Sequence, residues 1–231
     1  MRRAHHCKQR VAFLKWCARR TLLLYLLLPG YVASIHAGDL QQEPAVNYEA
    51  KTFVFVCEDQ SNHVLRTTEN GVWLFSPEGT RKLPLVRSAS GEKYSDGVSV
   101  VWTRGEEALI GEVGGKLQTC HNDRRAAIWE HAKLNGADFR AIGNEPGWNL
   151  EIHEMSRVVL VTDYGASRVE VALPESVTDN EARSTRWDTG ELTLELIGDP
   201  CSDSMSGEAF ETTVVVTWQG KTLRGCGRPL H

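Results

Sequence analysis

Ser88-Ala-Ser-Gly-Glu-Lys-Tyr-Ser-Asp-Gly97 runs into Val98-Ser-Val-Val-Trp102 and then Thr103-Arg-Gly-Glu-Glu-Ala108. A stretch this rich in serine and glycine buries no core, so its side chains are free to meet something outside. The β-branched run that follows it has the composition of a strand. Working outward, Cys57 and Cys120 flank the region. Between them lie Val72-Trp-Leu-Phe75, Lys82-Leu-Pro-Leu-Val86 and Ala108-Leu-Ile110, and Phe53, Phe55 and Cys57 alternate with Val54 and Val56. Asn70-Gly71, Glu78-Gly79, Asp96-Gly97 and Gly114-Gly115 punctuate these runs. Short alternating runs cut by glycine turns predict an antiparallel barrel or sandwich.

Arg124 to Leu134 predicts a helix, with Asn122 or Asp123 to cap its start and Gly136 to end it. Its simplest role is a connector. Strand patterns resume at Trp148-Asn-Leu-Glu-Ile152, where Trp148, Leu150 and Ile152 share a face. They continue through Val158–Thr162, Ser167–Leu173 and Leu192–Leu196, and Thr212–Trp218 is expected to pair across Gln219-Gly220 with Lys221–Arg224. The fold class expected is all-β: two small antiparallel β-barrel-like domains joined by a short helix, each with one disulfide. The expected boundaries are a signal peptide over 1–37, a flexible leader over 38–50, a first β domain over 51–121, a helical linker over 122–136 and a second β domain over 137–231.

The first 37 residues carry Arg2, Arg3, Lys8, Arg10, Lys15, Arg19 and Arg20 and no acidic residue. The apolar run Thr21–Leu28 follows, broken by Pro29-Gly30 and ending in Ile35-His-Ala37. This is the layout of a secretory signal cut near Ala37. The run is too short for a membrane span, which needs about 18 or more apolar residues. No cysteine stands at the cut site to take a lipid anchor. Export to the periplasm of a Gram-negative bacterium, without stable membrane insertion, is the expectation. Of 26 basic and 30 acidic residues, seven basic ones go with the leader, leaving 19 against 30 and a net charge of −11. That balance disfavours nucleic acid and anionic membranes as partners and suits a cationic one. From Val54 to Cys120 the signs nearly cancel, and most of the surplus lies after Asp138.

Cys7 and Cys17 also go with the leader, leaving Cys57, Cys120, Cys201 and Cys226. In an oxidising compartment four cysteines suggest two disulfides, with three possible pairings. Cys57–Cys120 and Cys201–Cys226 are favoured because each pair brackets one block of strands. No Cys-x-x-Cys pair and no histidine at ligand spacing supports zinc, so neither metal nor cofactor is expected.

Residues from about Thr52 to Cys120 resemble the MliC/PliC family, bacterial inhibitors of c-type lysozyme. The match rests on the Cys57 strand, Ser88–Tyr94 with Asp96-Gly97, Trp102-Thr-Arg-Gly105 with Glu107-Ala108, and Cys120. The resemblance implies a compact β-barrel whose loop enters the lysozyme cleft. It places Ser90 and Arg104 near the two catalytic carboxylates of the enzyme, with Gly91, Lys93, Tyr94 and Thr103 in support. The family usually has lysine where this chain has Arg104; charge is kept, but a planar fork replaces a compact ammonium. A glycosidase of this kind needs one protonated and one ionised carboxyl group. A cation and a hydroxyl set between them would hold both and exclude substrate. Without the resemblance, Ser90 and Gly91 read as a turn, Tyr94 as a packed side chain and Arg104 as solvated.

Residues Phe139 to Leu230 resemble a second, uncharacterised family of bacterial envelope proteins. The matching blocks are Phe139–Trp148 with its Gly143-Asn-Glu-Pro-Gly147, Asp163-Tyr-Gly165, Pro200–Glu208 and Gly225–Pro229. This resemblance implies no activity. Asn144, Glu145, Asp203, Ser206 and Glu208 are candidates for a polar cluster holding a ligand or calcium; the alternative is turn chemistry, with Trp148 plugging a barrel end. There is no Gly-x-Ser-x-Gly elbow and no histidine with a serine or cysteine partner, so catalysis is not expected. Two functions are carried forward: inhibition of c-type lysozyme, or a non-inhibitory envelope binding module.

Overall fold

The computed structural model describes residues 48–231; the expected signal peptide, its cut near Ala37, Cys7, Cys17 and most of the expected leader lie outside the described residues. The described residues form one compact unit. Eight strands come first: β1 (Thr52–Cys57), β2 (Asn62–Thr68), β3 (Gly71–Ser76), β4 (Gly79–Val86), β5 (Glu92–Ser95), β6 (Ser99–Arg104), β7 (Glu107–Glu112) and β8 (Gln118–Asn122). Each pairs antiparallel with the next, and β8 returns to β1 to close a barrel. Closure leaves no free edge. Alternate residues point inward, so Phe55, Leu65, Val72, Leu74, Leu83, Tyr94, Val101 and Ile110 fill the interior. Cys57 and Cys120 face each other across the closing pair and are bonded.

Glu92–Ser95 lies inside the stretch expected to be loop, yet it forms β5, pairing Tyr94 with Leu85 on one side and Val101 on the other. Only one of its four residues, Tyr94, is buried, too little for a readable alternation. β2 and β8 were equally hidden, being mostly polar in sequence.

Helix α1 (Arg124–Leu134) starts where expected: the Asp123 carboxylate accepts from the N–H groups of Arg125 and Ala126. It packs beside β1, and Arg66 Nη2 donates to Asn135 Oδ1 at 2.6 Å. Its other side buries Trp129 and Ala132 with Phe210, Cys226 and Leu230. The helix is therefore built into both halves of the molecule.

The second half holds β9 (Ala137–Asn144), β10 (Gly147–His153), β11 (Arg157–Thr162), β12 (Ser167–Ala172), β13 (Val177–Asp179), β14 (Ser184–Asp188), β15 (Leu192–Ile197), β16 (Cys201–Ser202), β17 (Ala209–Phe210), β18 (Thr212–Trp218) and β19 (Lys221–Pro229). Nine of these form one sheet in the order β12-β11-β10-β9-β19-β18-β15-β14-β13, curled into a half-barrel, while β16 and β17 pair separately. β18 and β19 meet across Gln219-Gly220 as expected. Trp148, Leu150 and Ile152 share the core face with Leu160, Leu194, Val214 and Val216. Cys201–Cys226 is the second disulfide. The all-β class and both disulfide pairs are as expected; the second half is open where the first is closed.

Candidate functional site

Antiparallel alternation brings the start of β1, the loop 87–91, the turn 105–106 and the start of α1 to one mouth of the barrel. Ser90 and Gly91 belong to that loop, and Arg104 ends β6 beside it. Gly91 has φ +64°, and a Cβ there would overlap the Thr103 carbonyl oxygen, so glycine lets the loop lie directly on β6. Two hydrogen bonds pin the loop: Ser88 Oγ donates to the Gly91 carbonyl at 2.7 Å, and Trp102 Nε1 donates to the Ser90 carbonyl at 2.7 Å. Thr103 Oγ1 donates to the Glu92 carbonyl at 3.3 Å. Ser90 itself is exposed.

Trp102 and Arg104, two apart on β6, project to the outside of the barrel. The guanidinium carbon of Arg104 lies 4.1 Å from the Trp102 ring centre, and Lys93 Nζ lies 5.5 Å from it. Lys93 sits directly across from Trp102 in the β5–β6 ladder. Cations over an indole face are attracted by the ring quadrupole. The nearest carboxylate in sequence, Glu106, is engaged elsewhere. It accepts from Arg124 Nη2 at 2.6 Å, Arg124 Nε at 3.0 Å and Asn122 Nδ2 at 3.0 Å, which holds its carboxyl at about 2. Among the described residues, Arg104 and Lys93 form no ion pair. Tyr94 faces inward; burial, then its hydrogen bond to Glu92 Oε2 at 2.7 Å, pushes its phenol pKa up. Beneath the loop a recess of about 360 Å³ opens between Phe53, Phe55, Tyr94 and Glu106.

This arrangement presents a hydroxyl and two uncommitted cations at one rim and contains no nucleophile–base pair. Residues 55–118 match the family model of the membrane-bound lysozyme-inhibitor of c-type lysozyme, MliC. The MliC match falls on the barrel, from within β1 to the start of β8. The likeness is thus confined to the barrel, and the family it matches is one of lysozyme inhibitors. No curated protein and no solved structure gives a significant match. No helix among the described residues is long and apolar enough to cross a membrane.

Of the second candidate group, Asn144, Asp203, Ser206 and Glu208 come together on the outer side of the half-barrel. Asn144 Nδ2 donates to Asp203 Oδ1 at 2.5 Å, and the Ser206 backbone N–H and Oγ–H donate to Asp203 Oδ2 at 2.8 and 2.5 Å. These bonds, Ser206 foremost, lower the Asp203 pKa. Glu208 Oε1 accepts from Arg228 at 3.0 Å. Glu145 is exposed, precedes a cis proline and makes no hydrogen bond to the group. Among the described residues no three metal-ligating side chains gather.

Sequence reasoning passed over Trp102 as the platform for Arg104, although their spacing of two on a strand was a readable sign. The Glu106–Arg124 pair had no local sign, because it depends on where α1 lands.

Proposed function

We propose that this protein is an exported periplasmic inhibitor that blocks the cleft of c-type lysozyme with the Ser90–Arg104 rim. The observation carrying this reading is the stacked, unpaired Arg104 guanidinium held beside the pinned Ser90 loop. A cation already desolvated on one face and fixed in direction loses little freedom on docking. Facing a cleft with one ionised and one protonated carboxyl group, Arg104 pairs with the carboxylate while Ser90 Oγ hydrogen-bonds the second group. Lys93 adds positive potential, Tyr94 and Thr103 hold β5 and β6 in place, and Gly91 keeps the loop low. No bond is made or broken; substrate is excluded.

A turbidity assay of wall digestion by c-type lysozyme tests this with the exported chain. The wild type is expected to inhibit. Arg104→Ala is expected to weaken inhibition roughly tenfold to a thousandfold, the cost of truncating one member of a buried charge pair. Undiminished digestion at large molar excess of folded wild type would overturn the reading and favour a non-inhibitory envelope binding module.

A further inference from the structure

Residues of α1, of the segment 203–208 and of β9, β10 and β11 line a groove of about 590 Å³ on the outer face of the half-barrel. That is the size of a small-molecule site. Three large apolar side chains stand open along it: Tyr164 is 86% exposed, Met205 81% and Ile128 51%. Tyr164 is held there by its backbone. Its φ is 57°, in the left-handed region that a bulky residue seldom occupies, and Asp163 before it has φ 52°. The ring rests on Gly147, where a Cβ would come within 2.6 Å of it. One edge of the phenol ring thus lies beside the main chain, and most of the side chain is open at the groove.

The polar lining is unfinished. Arg140 Nε and Glu208 Oε2 are buried without a hydrogen-bond partner. Unpaired buried polar atoms are uncommon enough to require an explanation. The Asn149 carboxamide on the floor makes no hydrogen bond within the described residues and is reachable from the groove. Charge, by contrast, is mostly compensated: Arg140 pairs with Glu151, Glu208 with Arg228, and Asp203 is saturated by Asn144 and Ser206. Arg125 alone stands at the rim without a carboxylate.

We propose that this groove binds a neutral saccharide chain. A pyranose has an apolar C–H face that stacks on an aromatic ring and a rim of hydroxyls that both donate and accept. Tyr164 supplies the stacking face, and Asn149 with the wall polar groups supplies the rim partners. The groove crosses the face of the sheet, where backbone groups are already committed to ladders, so an extended peptide finds no strand edge to join.

NMR of the ¹⁵N-labelled exported protein tests the assignment, titrating tri-N-acetylchitotriose and maltotriose in separate arms up to ~10 mM, with a neutral tetrapeptide as the third arm. Expected are shifts in the Trp129 indole signal and the Asn149 carboxamide with at least one saccharide. Tyr164→Gly relieves the left-handed backbone, so Tm is expected to hold or rise while saccharide affinity falls about tenfold. Asn149→Ala is expected to weaken binding with Tm unchanged. The proposal is overturned if neither saccharide moves these signals, if the tetrapeptide alone does, or if Tyr164→Gly binds as well as wild type. None of these outcomes touches lysozyme inhibition, which is read separately.

Discussion

Trp102 has two attachments at the tip of β6: its indole N–H holds the Ser90 carbonyl, and its ring carries the Arg104 guanidinium. Loop and cation are thereby tied to one rigid side chain rather than to each other. Among the described residues Arg104 makes no ion pair: Glu107, across the ladder, lies beside His121, and Glu106 is held by Arg124 and Asn122. The same pairing has a pH consequence. Hydrogen bonds from Arg124 and then Asn122 hold the Glu106 carboxyl at about 2, below its ordinary 4.5. A depressed folded value means the ion pair supports the fold above pH 4.5 and ceases to do so as pH falls toward 2. Glu106→Gln is therefore expected to lower Tm slightly at neutral pH, with the two melting curves converging at the acid end; the pair is exposed, so the gap is small. Equal Tm at neutral pH, measured by circular dichroism, would show that the pair carries no weight. At this scale residue type alone read Ser90 and Gly91 as a turn and Arg104 as solvated; only the family resemblance singled them out, and the Glu106–Arg124 pair had no sign at all.

β5 is the element that turns a polar loop into a presented one. Its four residues bridge β4 to β6, so the exposed segment shrinks to 87–91 and its ends are fixed by two ladders. The strand was invisible in sequence because a short strand with a single inward side chain has no period to detect. Helix α1 was fully legible, since caps and composition act within a few residues. The barrel closes through β1 and β8, and Cys57–Cys120 staples that seam, the two cysteines standing 63 positions apart. Loop closure over that length limits the freedom of the unfolded chain, a contribution of about 4 kcal/mol. Replacing both cysteines by serine is expected to lower stability by roughly that amount in urea unfolding. An unchanged midpoint would mean that ladder and core alone hold the seam.

Across the whole molecule, charge and geometry are divided between the halves. The barrel carries the presented cations on a nearly neutral body, while most of the acidic surplus lies beyond Asp138. On the proposed function, a negative field of this kind would draw in a cationic lysozyme before the rim docks. Raising ionic strength from about 0.1 M to about 1 M shortens the Debye length from about 10 to about 3 Å. Association in stopped-flow is expected to slow at least about tenfold over that range, with dissociation less affected. A salt-independent association rate would remove any role for the acidic half in capture. By itself the sequence determined the β class, the helix and the favoured pair of disulfide brackets. All of these follow from period, turn chemistry and spacing, which act locally along the chain. Only the tertiary structure decided that the first half closes while the second stays open, that Arg104 lies on Trp102, and that Asn144 meets Asp203 across 59 positions. Those outcomes depend on how side chains from distant strands share a common interior, and no local pattern encodes which strand becomes whose neighbour.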